Sequence, residues 1–105
     1  MAQFDVYVNP QPASRQSTPY VVDVQSQFIG QLNTRFVMPL SRVGVASRNV
    51  PVNLCPVVQI EGEALSLMAH LAAPATVRML GKPVASLTHR ASEITGALNA
   101  VISGF

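Results

Sequence analysis

The feature that most constrains this sequence is a change in its hydrophobic periodicity near residue 86. Before that point, apolar and polar residues alternate in short segments that prolines and glycines interrupt, a pattern typical of β-strands and turns. Beyond it, apolar residues recur at every third or fourth position, as on one face of an amphipathic helix. The sequence therefore predicts a mainly β fold, a twisted antiparallel sheet or small barrel, with one C-terminal α-helix.

The alternating segments contain many β-branched and aromatic residues, which favour strands. The predicted strands are Gln3–Val8, Tyr20–Val24, Arg35–Leu40, Val57–Ile60, Ala64–Met68, Ala75–Leu80 and Pro83–Val84. The polar, proline or glycine residues between them predict connections. These are a long mobile connection at Asn9–Pro19, a tight turn at Glu61–Glu63, a connector at His70–Pro74 and a second turn at Gly81–Lys82.

The helical pattern places apolar residues four and three positions apart in alternation, the repeat of a helix face that packs on a core. It predicts a helix at about Ser86–Ile102, with Ser86 or Thr88 as the N-cap. Gly96 is expected to weaken this helix by about 1 kcal/mol. The pattern also carries apolar residues to the last position, whereas chain termini are usually polar. The stripe consists of Leu87, Ala91, Ile94, Leu98, Val101 and Phe105.

Composition excludes several classes of protein. Hydrophobic residues make up 49% of the 105 residues and charged residues 11%, which is incompatible with intrinsic disorder. The longest apolar stretch, Ala64–Val77, contains His70 and Pro74 and is shorter than the roughly 18–20 residues of a membrane span. No signal peptide is expected either. We therefore expect a single soluble, cytoplasmic domain over residues 1–105 that contacts no membrane, and a partner surface that covers its excess apolar side chains.

Charge and motifs predict no catalytic, metal or cofactor site. The net charge is +2 and no two of the seven basic residues are adjacent, so direct nucleic-acid binding is not expected. Cys55 is the only cysteine, which leaves no disulfide and no zinc-binding pattern, and its apolar neighbours indicate a small core residue. His70, in an apolar stretch, is interpreted as a structural residue.

One cluster on the predicted helix leaves two interpretations open. His89, Arg90 and Glu93 are three or four positions apart and therefore share one patch. A ribonuclease could use such a set, with His and Glu moving protons and Arg holding a phosphate. The alternative, which this spacing more often represents, is a solvated helix face with a weak ion pair.

A second ambiguous feature lies between the second and third predicted strands. Phe28 and Ile29 stand in the otherwise polar loop Gln25–Thr34. They either fold back onto the core or form an exposed apolar tip that meets a partner.

Five short segments occur in an order that is typical of one protein family, and the most specific of them is Val22-Asp23-Val24-Gln25-Ser26. The other four are Gln3-Phe4-x-Val6-Tyr7, Val37-x-Pro39-Leu40, Pro56-Val57-Val58-x-Ile60 and Leu87-Thr88-His89-Arg90. Together they resemble the CcdB family, the toxins of the ccd type II toxin–antitoxin module. The resemblance extends from about Gln3 to Phe105.

This resemblance implies a small SH3-like barrel of the CcdB/MazF type with a C-terminal helix, assembled as a homodimer. It implies a toxin that acts without catalysis and takes part in plasmid maintenance. Such a toxin inhibits DNA gyrase by inserting its helix ends into the gyrase A subunit, and a CcdA-like antitoxin neutralises it through a disordered segment. The alternatives are a MazF-like ribonuclease toxin and a non-toxic relative that serves only as an antitoxin partner.

The resemblance also implies a gyrase-binding surface at the helix end and at the loop. Where the family ends in Trp-Gly-Ile, this sequence has Ser103, Gly104 and Phe105, so it lacks the aromatic residue that is central to gyrase poisoning. Carried over by position, the gyrase-binding residues are Phe28, Ile29, Asn99, Ile102, Ser103, Gly104 and Phe105.

Overall fold

Antiparallel strands are the main secondary structure of the computed structural model, which describes residues 2–26, 32–42 and 55–103. The strands are β1 (Asp5–Val8), β2 (Tyr20–Asp23), β3 (Thr34–Arg42), β4 (Val57–Ile60), β5 (Glu63–Leu67), β6 (Ala73–Thr76) and β7 (Ala85–Ser86). The helices are α1 (Val77–Leu80) and α2 (Ala91–Ser103), and 3-10 turns occur at Pro12–Ser14, Ala69–Leu71 and Thr88–Arg90.

The long strand β3 organises the sheet, whose order in the described residues is β4-β5-β3-β2-β1-β7. One edge of β3 pairs with β2, while its other edge pairs first with β6 and then with β5. Because one strand holds three neighbours, the twisted sheet curls into a nearly closed, barrel-like form. The predicted fold class, a mainly β barrel-like sheet with a C-terminal helix, is confirmed.

The main core lies between one face of this sheet and helix α2. Side chains of alternate strand residues point to the same face, so the period-two pattern of the sequence becomes a continuous apolar surface. Ile94 and Ala97 of α2 complete this core. Its buried strand residues include Val6, Val22, Met38, Leu40, Val58, Ile60, Leu65 and Leu67.

A smaller apolar cluster covers part of the opposite face of the sheet. Tyr7, Val21 and Val37 are buried there under Leu80 of α1. The Tyr7 hydroxyl is buried and has no hydrogen-bond partner among the described residues. Burial, with a further contribution from the charges of Asp5 and Asp23, raises the pKa of Tyr7.

The segment Ala75–Leu80 was predicted as a strand, and this is wrong for its second half. Strand β6 begins earlier, at Ala73, and ends at Thr76, after which the chain forms the single helical turn α1. The turn brings Val77 and Leu80 to the same side, and Leu80 is thereby buried in the smaller cluster. Gly81, with φ +69°, then ends the turn in a conformation that favours glycine.

Strands β1, β2, β3 and β5 differ from the predictions by one or two residues at their ends, and three other segments differ as follows. Pro83–Val84 is not a strand, since the pairing with β1 occurs at β7 instead. The predicted connector at His70–Pro74 contributes its last two residues to β6, which pairs with β3. The terminal helix begins at Ala91 after a 3-10 turn, later than predicted, because the preceding residues first pair with β1 and the Ser86 hydroxyl accepts the Thr88 amide at 3.3 Å.

The predicted connection at Asn9–Pro19 is present and folds around a single buried side chain. The Asn9 amide group donates to the Thr18 carbonyl at 2.7 Å and to the Ser14 hydroxyl at 2.9 Å, and it accepts the Gln11 amide at 3.0 Å. The β4–β5 hairpin is confirmed with a two-residue turn, in which Glu61 and Gly62 both have positive φ. None of the helices in the described ranges is long and apolar enough to cross a membrane.

Candidate functional site

The first half of helix α2 is anchored in the core. Ile94 is 1% exposed and Ala97 0%, and Leu87, just before the helix, is 1% exposed. These residues are three or seven positions apart, so they form one face, and that face packs on the main core and on the 3-10 turn at Ala69–Leu71.

The last turn of α2 exposes the same kind of side chain to solvent. Val101, which continues the apolar stripe, is 43% exposed, and Ile102 is 76% exposed. No residue from Ala97 to Ser103 carries a charge. The end of the helix is therefore an uncharged surface with prominent aliphatic side chains.

Two polar residues accompany Ile102 at this end. Asn99 is three positions before Ile102 and four before Ser103, so the three side chains share one patch, and all three are exposed. The Ser103 hydroxyl donates to the Asn99 backbone carbonyl at 2.7 Å. We call Asn99, Ile102 and Ser103 the helix-end patch.

The structure thus brings together three of the predicted site residues. The other four, Phe28, Ile29, Gly104 and Phe105, lie outside the described residues.

In the cluster of His89, Arg90 and Glu93, Arg90 and Glu93 form an ion pair, as expected if this cluster is a solvated surface. Arg90 Nη2 donates to the Glu93 carboxylate at 2.8 Å and to the Val57 carbonyl at 3.0 Å, which ties the start of α2 to strand β4. The hydrogen bond from Arg90 lowers the pKa of the Glu93 carboxyl. His89, in the 3-10 turn before α2, is exposed. The Arg90 guanidinium is therefore occupied by protein groups and acts as a tether.

A groove of about 270 Å³ lies on the opposite face of the sheet, beside the smaller apolar cluster. None of the described residues that line it is a carboxylate, histidine, lysine, arginine or cysteine, so the groove holds no acid–base pair. Its lining residues are Asn9, Pro10, Gln11, Ser14, Thr18, Val21, Val37, Pro39, Leu71, Ala73, Pro74 and Ala75.

A buried ion pair, which the sequence interpretation missed, joins β2 to β3. Arg35 Nε donates to Asp23 Oδ2 at 2.7 Å, and both side chains are at most 1% exposed. Arg35 Nη2 donates to the Gln25 carbonyl at 3.1 Å, and the Gln25 backbone amide donates to Asp23 Oδ1 at 3.0 Å. Finally, the Gln25 side-chain oxygen accepts the Phe36 amide at 3.0 Å. These bonds fix the strand ends that lead into and out of the segment containing Phe28 and Ile29.

Cys55 lies at the edge of the core, half-buried. Its Sγ is 3.7 Å from His70 Nδ1 and 4.0 Å from Met68 Sδ. Burial raises the pKa of the Cys55 thiol, and a hydrogen bond with the Ala69 backbone opposes this rise. His70, which was expected to be structural, is exposed.

Comparison with protein families decides the assignment, because the family model for the CcdB protein matches residues 3–104. The chain belongs to the CcdB family. Its general role is that of a toxin of the ccd toxin–antitoxin system. The match includes the whole described sheet and helix α2, so the fold and the helix-end patch both lie within the CcdB region.

The structure explains the most specific motif of this CcdB chain. In Val22-Asp23-Val24-Gln25-Ser26, Val22 lies in the main core, while Asp23 and Gln25 hold Arg35 and the start of β3. Because a buried carboxylate needs a paired cation, the polar residue in an otherwise apolar strand was the available signal. The sequence does not say which of the seven basic residues is the partner, since that depends on strand register.

Proposed function

We propose that this CcdB-family toxin binds the A subunit of DNA gyrase with its helix-end patch and inhibits the enzyme without catalysis. The observation that carries the proposal is the exposure of Val101 and Ile102 at the end of a helix whose first half buries Ile94 and Ala97 in the core. We further propose that it acts in the cytoplasm as a homodimer and that a CcdA-like antitoxin neutralises it.

An exposed aliphatic side chain at a helix end suits an anchor that fills a pocket on a partner. Full burial of an isoleucine side chain contributes about 1.5–3 kcal/mol, and a few such side chains carry most of the energy of an interface. Asn99, next to Ile102 in the patch, supplies amide donors and an acceptor that would orient the anchor. The absence of charge between Ala97 and Ser103 removes any desolvation cost of an unpaired ion.

A homodimer would present this patch twice. When both patches engage one target, the second binding event becomes intramolecular, so the dimer binds more tightly than either patch alone. This argument supports a dimer because each patch has few large anchors and lacks the family tryptophan.

The proposal of a non-catalytic toxin is supported by the occupancy of Arg90 and by the lining of the groove. A ribonuclease needs a free cation near a general base, whereas Arg90 is paired with Glu93 and the Val57 carbonyl. The described groove offers no titratable side chain. We therefore expect the purified protein to leave RNA intact.

The test is DNA supercoiling by purified gyrase with increasing amounts of the full chain. We expect inhibition at micromolar protein. Ile102→Asp should weaken inhibition by at least about tenfold, because burying the aspartate carboxylate at the interface costs about 1.4 kcal/mol or more. Met79→Asp is the matched control, since Met79 is an exposed apolar side chain of α1. Circular dichroism of both variants tests whether each is folded.

Two outcomes would contradict the proposal. If the intact protein leaves supercoiling unchanged, gyrase is not its target. If Ile102→Asp and Met79→Asp lose inhibition equally, the helix-end patch is not the contact surface. Ser103→Trp provides a gain-of-function test at an exposed position, and we expect stronger inhibition because the family has tryptophan there.

A further inference from the structure

We propose that Cys55, Met68 and His70 form a binding site for a monovalent copper ion. The three residues are distant in sequence from the helix-end patch and have no role in the proposed gyrase contact. The structure brings a thiol, a thioether and an imidazole together at the edge of the core, with the Cys55 sulfur within 4.0 Å of a donor atom of each of the others.

The two separations from Cys55 Sγ equal those expected around a metal bound in a trigonal plane. Metal–sulfur bonds of about 2.3 Å at 120° place two sulfurs about 4.0 Å apart, and a bond of about 2.0 Å to nitrogen places sulfur and nitrogen about 3.7 Å apart. The observed separations are 4.0 Å from Cys55 Sγ to Met68 Sδ and 3.7 Å from Cys55 Sγ to His70 Nδ1. Cys55 is therefore spaced from Met68 and from His70 as two ligands of one ion are spaced.

The donor types select the ion. Thiolate and thioether sulfur are soft ligands that favour Cu(I), whereas structural zinc sites use thiolate, imidazole and carboxylate ligands. The described residues contain no group of three or more His, Cys, Asp or Glu side chains that could hold a metal, so the cluster exists only when the Met68 thioether is counted.

Charge supports the same choice. One Cu(I) ion and one Cys55 thiolate form a neutral unit, which a half-buried site accommodates, while a divalent ion with the same ligands would leave a net positive charge there. On binding, the Cys55 thiol loses its proton to solvent, a sulfur–copper bond forms, and no electron is transferred. The exposed His70 side chain provides the route of entry.

The backbone holds the ligands in place before any ion arrives. The Leu67 amide donates to the Pro56 carbonyl at 2.9 Å, which holds the chain next to Cys55 against the end of β5. The Met68 amide donates to the Pro39 carbonyl at 2.9 Å, and the Leu71 amide donates to the Met68 carbonyl at 3.0 Å. Met68 and His70 are thus fixed on the two sides of Ala69.

The experiment titrates the full chain, without oxygen, against Cu(I) held by the coloured chelator bicinchoninate. We expect the protein to remove one Cu(I) per chain, and X-ray absorption to show two sulfurs at about 2.3 Å and one nitrogen at about 2.0 Å. Cys55→Ser should abolish this transfer, and Met68→Leu and His70→Gln should each weaken affinity by at least about tenfold. Leucine keeps the volume of the buried Met68 side chain, so that variant should remain folded.

The controls remove the same residue types elsewhere. Met79→Leu and His89→Gln change exposed side chains of α1 and of the turn before α2, and both should bind Cu(I) as the unmodified protein does. The proposal is overturned if the protein takes no Cu(I) from the chelator or if it binds Zn(II) in preference. It is also overturned if Met68→Leu and His70→Gln retain full affinity, since copper would then be held by the thiol alone.

Discussion

The two ends of helix α2 have similar side chains in opposite surroundings. Ile94, in the second turn, is 1% exposed, whereas Ile102, in the last, is 76% exposed. An apolar stripe on a helix predicts which side chains point the same way, but burial also requires another element to cover them. Comparison of the two ends shows that one helix both closes the core and exposes an apolar surface to solvent.

The sharpest test of this difference makes the same substitution at both ends. Ile94→Ala should lower the free energy of unfolding by about 2–5 kcal/mol, because it removes buried methyl groups and leaves a cavity in the main core. Ile102→Ala should change it by no more than about 0.5 kcal/mol, as an exposed position does. Urea denaturation of the two variants and the unmodified protein measures both values. Similar losses at the two positions would show that Ile102 is covered in the folded protein.

Gly96 lies between the two ends, and its replacement should raise the stability of the protein by a smaller amount than Ile94→Ala lowers it. It is exposed, and a Cβ added there would have no heavy atom within 4 Å. Gly96→Ala should therefore stabilise the protein by about 0.5–1 kcal/mol, because glycine loses more conformational freedom in a helix. Gly81→Ala is the control and should destabilise, since Gly81 has φ +69°. Thermal melting measures both, and a lower melting temperature for Gly96→Ala would contradict the description of this helix.

The smallest expected change in stability comes from loss of the Arg90–Glu93 ion pair at the start of α2. Because the folded protein lowers the pKa of Glu93, the ion pair stabilises at neutral pH, and this contribution is lost as the pH falls through the lowered value. Glu93→Gln should therefore melt below the unmodified protein at pH 7. The two melting temperatures should converge as the pH falls from the ordinary glutamate pKa of about 4.3 through the lowered value. Glu61→Gln removes the same charge from the β4–β5 turn and serves as control. A difference that does not depend on pH would exclude the ion pair as its cause.

Much of the architecture was predictable because it arises within single elements. Period-two alternation gave the early strands and the β4–β5 hairpin, and the three-to-four spacing gave α2. The prediction failed at Val77–Leu80, where β-branched and apolar residues suit a strand and a helical turn equally well. Packing of Leu80 against Tyr7 and Val37, which are remote in sequence, decided for the turn.

The candidate site was predictable only in part. Asn99, Ile102 and Ser103 came from the family resemblance, and the structure shows them together on one exposed helix end. Which end of the apolar stripe lies outside the core was not deducible from spacing, since the stripe has the same period throughout.

The sequence by itself determined the local geometry of this protein: which segments alternate, which face of the helix is apolar and where glycine permits a turn. These follow from backbone periodicity and from φ preferences that act over a few residues. Only the tertiary structure decided that Asp23 pairs with Arg35 and that Cys55 meets Met68 and His70. Such contacts depend on strand register and on the path of the chain between elements. Any of the seven basic residues is a possible partner of Asp23 until the sheet is assembled.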